Sequence, residues 1–178
     1  MIEVETDETA RLQAVRRYDI LDTPPDGAFD RVTALASRIF DVPIALVTIV
    51  DEERIWFKSR HGLDGVEQIA RDPGLCASAI LSDAPYIVEE ARKDPRTLQN
   101  PLVSGDFGLQ FYAASPLRTN DGYRLGTLCI IDREPRIFSP RQAEVLHGLS
   151  GIVMDEMELR IAALKAIRDA QAKRAPAL

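Results

Sequence analysis

The chain has 178 residues, 46% hydrophobic and 28% charged, with a formal net charge of −6. That length holds one domain with a full core and a short appendage. The acidic balance argues against nucleic acid or an anionic membrane as the main partner, since either needs a basic face.

No apolar run is long enough to cross a bilayer, so membrane insertion is not expected. The acidic N-terminus also lacks the cationic start of a secretory signal. Two cysteines, Cys76 and Cys129, make no disulfide framework, and the two histidines, His61 and His147, stand apart from them. A reducing, cytoplasmic setting is expected.

Residues 1–8 are acidic and are expected to be disordered. A short helix is predicted over Glu8–Tyr18, with Leu12 and Val15 on one side. Asp22-Thr23-Pro24-Pro25-Asp26-Gly27 ends it, because successive prolines cannot continue a helix. A second helix is predicted over Ala28–Phe40, where Phe29, Val32, Leu35, Ala36, Ile39 and Phe40 recur at helical spacing. Pro43–Val50 is nearly all apolar and rich in β-branched residues, which predicts a strand covered on both faces. Ile55–Arg60 returns as its antiparallel neighbour after a charged turn.

His61–Asp72 carries Gly62 and Gly65 and reads as a mobile loop. Pro73–Leu81 reads as a helix and Tyr86–Glu89 as a short strand. Ala91–Asp106, broken by Pro95, Pro101 and Gly105, reads as irregular. Phe111–Leu117 and Gly122–Asp132 read as two strands joined by the turn Asn120-Asp121-Gly122, a strong hairpin signal. Ser139 and Pro140 open a last helix as N-cap and first residue. Its pattern runs to about Ala172, with Leu146, Leu149, Val153, Met157, Ile161, Leu164 and Ile167 in one stripe. The stripe is expected to pack on the sheet up to Met157 and on a second subunit beyond it. No glycine-rich phosphate loop, Ser/His/Asp set, HExxH or zinc spacing occurs.

Several of these segments, in this order, resemble GAF domains, and the likeness runs from about Leu12 to Ile161. The lead-in Tyr18-Asp19-Ile20-Leu21-Asp22-Thr23-Pro24-Pro25, the block Asp94-Pro95-Arg96 with Asn100-Pro101-Leu102-Val103, and Gly126-Thr127-Leu128-Cys129-Ile130-Ile131-Asp132 carry it. They look like the GAF domains ahead of bacterial histidine kinases and diguanylate cyclases. The resemblance implies an α+β, three-layer fold: a twisted antiparallel sheet of five to six strands with helices on both faces. It implies a GAF domain over residues 9–160 and a helical extension or signalling linker over 161–178.

The function implied is a non-catalytic sensory module of bacterial signalling that binds a small ligand or a partner protein and relays through its terminal helices. Homodimerisation through those helices is expected, with a histidine kinase or diguanylate cyclase as output partner. That output would act in another polypeptide, or the chain would be an excised sensor region. A ligand cavity is expected between the sheet and the connecting segments, with Phe57, Arg71, Cys76, Asp94, Arg96, Phe111, Ala113 and Cys129 as its candidate residues. The cofactor is not identified. Relatives that attach a bilin use a cysteine followed by a histidine, whereas Cys76 is followed by Ala77, so a bilin is not expected. The Asn-Lys-x-x-x-Phe-x-x-x-Asp-Glu signature of cyclic-nucleotide-binding relatives is absent. The competing readings are a thiol-dependent reductase of the free methionine sulfoxide type, using Cys76 or Cys129, and a pure dimerisation module.

Overall fold

The computed structural model of the protein describes residues 2–174. Met1 and the last four residues of the Ala/Lys/Arg-rich tail lie outside the described residues. Six strands form one sheet: β1 (Ile44–Val50), β2 (Arg54–His61), β3 (Gln68–Ala70), β4 (Tyr86–Val88), β5 (Phe111–Arg118) and β6 (Arg124–Asp132). Their order across the sheet is β3-β2-β1-β6-β5-β4, and every neighbouring pair is antiparallel. The apolar run of β1 sits in the middle and is buried along its whole length. The β5–β6 hairpin closes where Gly122 takes a positive φ of 96° and donates its N–H to Thr119 O.

One face of the sheet carries α1 (Ile2–Arg17), α2 (Gly27–Phe40) and the 35-residue α5 (Pro140–Arg174). Ala45, Val47, Ile49, Leu128 and Ile130 point to that side and meet Phe29, Leu146, Val153 and Met157. The other face is roofed by α3 (Leu75–Ala79), α4 (Pro101–Ser104) and the loops around them, above Leu46, Phe57, Tyr112 and Cys129. The three-layer antiparallel architecture agrees with the expectation from sequence.

The helices begin where side chains can satisfy their first N–H groups. Asp26 accepts from Ala28 N–H at 3.0 Å to start α2, and Asn100 accepts from Leu102 N–H at 2.9 Å to start α4. At α5, Gln142 N–H donates to Ser139 Oγ at 3.2 Å while Ser139 N–H donates to Gln142 Oε1 at 2.9 Å, a reciprocal capping box.

Several boundaries differ from the sequence reading. α1 starts at Ile2, six residues before the predicted Glu8 and inside the stretch expected to be disordered. The segment read as a loop over His61–Asp72 contains β3, an edge strand of three residues too short to show a period. The irregular cover contains the single turn α4. Only half of the α2 stripe is buried: Phe29, Ala36 and Phe40 face the sheet, whereas Leu35 and Ile39 stay exposed.

Candidate functional site

Between the sheet and its roof lies a cavity of about 150 Å³. Its floor comes from β1, β2, β5 and β6 through Leu46, Phe57, Tyr112, Cys129 and Ile131. Its walls come from α3, α4 and the loops through Leu63, Val66, Leu75, Cys76, Leu102 and Phe107. Every lining side chain is apolar or aromatic except the two thiols and the phenol. Strand alternation supplies the floor, because residues two apart on a strand share a face.

Those polar groups converge at one point. Tyr112 OH donates to Cys76 Sγ at 3.1 Å, and Thr127 Oγ1 donates to the same sulfur at 3.5 Å. Thr127 Oγ1 also bonds Thr48 Oγ1 at 2.9 Å. Cys129 borders the same cavity from β6, on the strand face that also carries Thr127. Both thiols are free and buried. The hydrogen bond from Cys129 draws the Cys76 thiol down, helped by Tyr112 and Thr127 and opposed by burial. Cys129 is pushed up by the same contact and by burial, so the pair gives up its first proton from Cys76. Burial also raises the Tyr112 phenol, which stays a donor.

Of the eight residues expected at the pocket, Phe57, Cys76 and Cys129 line this cavity. Phe111 and Ala113 do not, and this is a correction: both point into the helix-side core, where Phe111 lies 5.5 Å from the Phe138 ring. The cause is an irregularity in the hairpin between Leu117 and Arg118. Arg118 pairs with Arg124, but from Leu117 inward the register slips by one, so Cys129 faces Ala114 rather than Ala113. A one-residue slip exchanges the two faces of a strand. Tyr112 therefore holds the place that Phe111 was expected to fill.

The three charged candidates also lie outside the cavity. Arg71 Nη1 pairs with Glu8 at 2.6 Å and donates to Asp51 O at 3.0 Å, tying α1 to the β1–β2 turn. Arg96 pairs with Asp94 at 2.6 Å, donates to Ile87 O and lies 4.7 Å over the Tyr86 ring. Tyr86 meets Tyr112 edge-on, with centroids 6.0 Å apart. Arg96 is thus two aromatic rings away from Cys76 rather than beside it.

Sequence reasoning also missed the apolar roof residues Leu63, Val66, Leu102 and Phe107. Only their alternation with Gly62, Gly65, Pro101 and Gly108 could have marked them as loop residues turned inward.

A second hollow of about 460 Å³ lies between the Pro24-Pro25 turn and β2. Lys58 borders it, placed there by an irregularity in the β1–β2 ladder at Val47/Thr48. Its ammonium already donates to Thr23 Oγ1 at 2.9 Å and to Pro24 O at 2.7 Å and sits over Phe29. It closes the turn. Among the described residues no group of His, Cys, Asp and Glu could hold a metal ion, and no helix is long and apolar enough to cross a membrane.

The family model described as GAF domain matches residues 24–155. A cyclic di-GMP phosphodiesterase of Pseudomonas aeruginosa is 40% identical over 149 residues, covering 83% of this chain. The match covers 25% of that enzyme, so the chain spans a quarter of the length of this curated relative. Among solved structures, the GAF domain of an Acinetobacter phosphoenolpyruvate-protein phosphotransferase superposes with a TM-score of 0.63 at 17% identity, over 90% of this chain and 95% of that one. Free methionine-R-sulfoxide reductase from Neisseria meningitidis, solved with its substrate, gives a TM-score of 0.63 at 16% identity, over 83% and 87% of the two chains. At these identities the two structures speak for the fold alone.

Proposed function

The chain belongs to the GAF domain family, and from that premise we propose that it is a non-catalytic sensory module whose ligand is a small apolar molecule. The observation that carries this reading is the cavity of about 150 Å³ between the sheet and its roof. A cavity of that size, with mostly aliphatic and aromatic walls, accepts a guest no larger than a single ring. No charged side chain lines it. A cyclic nucleotide or a zwitterionic amino acid would bury its charge there without a partner, at a cost of several kcal/mol. That physics favours an apolar guest over the reductase reading.

The relay runs through the sheet. Tyr112, on the cavity side of β5, is flanked by Phe111, which packs under the helices. Further along β5, Ser115 bonds Ser150 of α5 at 2.8 Å. A guest that favours one packing of the roof shifts the strand and so the α5 seat, a population shift between two arrangements. We propose that the module pairs with a second copy through α2 and α5. Its output would be an enzyme of cyclic di-GMP turnover, as in the Pseudomonas relative, or a histidine kinase.

The test uses benzene as probe. Ligand-observed NMR on the whole chain should show saturable binding, and Leu102→Trp, which fills the cavity from its wall, should abolish it. Equal benzene binding by parent and Leu102→Trp would overturn the cavity reading.

A further inference from the structure

We propose that Cys76 and Cys129 form a peroxide-reactive dithiol site, in which Cys76 is oxidised first and Cys129 resolves it to an intrachain disulfide. This goes beyond the ligand reading: it uses the same cavity but needs no bound guest. Three observations carry it. Both sulfurs border one cavity of about 150 Å³, several times the roughly 30 Å³ share of a water molecule, so a two-oxygen peroxide fits against them. Cys76 Sγ, carried by α3, lies 3.5 Å from Thr127 Oγ1, two residues from Cys129 on the same face of β6, so the two thiols meet although they come from distant segments. Two donors, Tyr112 OH at 3.1 Å and Thr127 Oγ1 at 3.5 Å, converge on Cys76 Sγ. An anion at Cys76 would find hydrogen-bond donors already in place, and hydrogen bonding to the charged form favours it.

The chemistry balances with hydrogen peroxide as the oxidant. The Cys76 thiolate attacks one peroxide oxygen, the O–O bond breaks, and the leaving hydroxide takes up the proton that Cys76 released. One water and a Cys76 sulfenic acid result. The Cys129 sulfur then attacks the sulfenic sulfur, an S–S bond forms, the S–O bond breaks, and the hydroxyl departs with the Cys129 proton as a second water. The two thiols lose two electrons in total and the peroxide gains them. The disulfide would tie α3 to β6 and change the acceptor of the Tyr112 hydroxyl. Tyr112 meets Tyr86, and Tyr86 carries Arg96, so the oxidation would alter a stack that reaches the surface.

The experiment treats the folded chain with a modest excess of hydrogen peroxide, then unfolds it, alkylates free thiols and maps the peptides. The parent should lose both thiols together, yield one linked Cys76–Cys129 peptide pair, and recover both thiols with dithiothreitol. Cys129→Ser should stop at a sulfenic acid on Cys76 that dimedone traps, and Cys76→Ser should leave Cys129 alkylatable. Tyr112→Phe, which removes one donor, should slow oxidation about five-fold. Circular dichroism confirms that each variant is folded, and the dimedone trap at Cys129→Ser decides the case if Cys76→Ser does not fold. Oxidation confined to unfolded protein, a disulfide between two chains, or Cys129 oxidised at the parental rate in Cys76→Ser would each overturn the proposal. Benzene binding and oxidation are read separately, so either can fail while the other stands.

Discussion

Glu8 ties the first helix to the body of the domain. Its carboxylate pairs with Arg11 at 2.7 Å and Arg71 at 2.6 Å, and Arg11 also donates to Arg124 O on β6. The hydrogen bond from Arg11, followed by that from Arg71, holds the carboxyl at about 2 against an ordinary 4.5. A depressed folded value stabilises the fold above the unfolded value, and that stability is lost as pH falls from about 4.5 through about 2. The side chain is about a third exposed, so solvent screening reduces the contribution to roughly 1 kcal/mol. Glu8→Gln is therefore expected to lower stability by about 1 kcal/mol at neutral pH. In urea titrations the gap from the parent should close on acidification, and a gap constant through the acid range would refute this role. None of this was legible in the chain. Arg71 reads as a ligand group because it stands beside the pocket helix, but its partner is 63 positions away. Nothing local in a sequence records such an encounter.

At the scale of elements, the central strands were legible because β1 is continuously apolar and the hairpin carries its own turn residues. Which face of β5 meets the cavity was not. That depends on a one-residue slip at Leu117/Arg118, and alternation on either side of such a slip reads equally well. The same sheet holds a constraint that the chain shows only as a glycine. A Cβ at Gly126 would stand 1.8 Å from Thr48 O and 2.7 Å from Thr48 C, both backbone atoms of the neighbouring β1. Gly126→Ala must push β1 and β6 apart at the centre of the sheet, beside the Thr48–Thr127 bond that supports Cys76. A cost of about 3–5 kcal/mol is expected, in the range of the most damaging single substitutions. Urea unfolding measures it directly. A loss below about 1 kcal/mol would mean that the two strands do not approach as described.

At the scale of the whole molecule, α5 has two apolar stripes, and the sequence showed only one of them. Leu146, Leu149, Val153 and Met157 are consumed by the core, and Ile161 packs at its edge. A second stripe, Val145, Ile152 and Leu159, repeats at seven-residue steps and faces outward, with Ile152 52% and Leu159 67% exposed. A repeat of seven is the spacing of a helix seam. Gly148 and Gly151 lie between these residues, and a Cβ on either would meet nothing within 4 Å, which leaves room for another helix to approach closely. Leu35 and Ile39 of α2, a helix packed against α5, are likewise exposed. A second copy suits this surface, because a seam on one long helix is self-complementary about a two-fold axis. In the double variant Ile152→Glu with Leu159→Glu, carboxylates from the two copies would meet across the axis. Sedimentation velocity should then find a dimeric parent and a monomeric variant. Both side chains are solvent-exposed in the single chain, so the monomer's own unfolding free energy should move by no more than about 0.5 kcal/mol per site. A variant that sediments with the parent would place the partner elsewhere. One that unfolds would show that this face belongs to the core of a single copy.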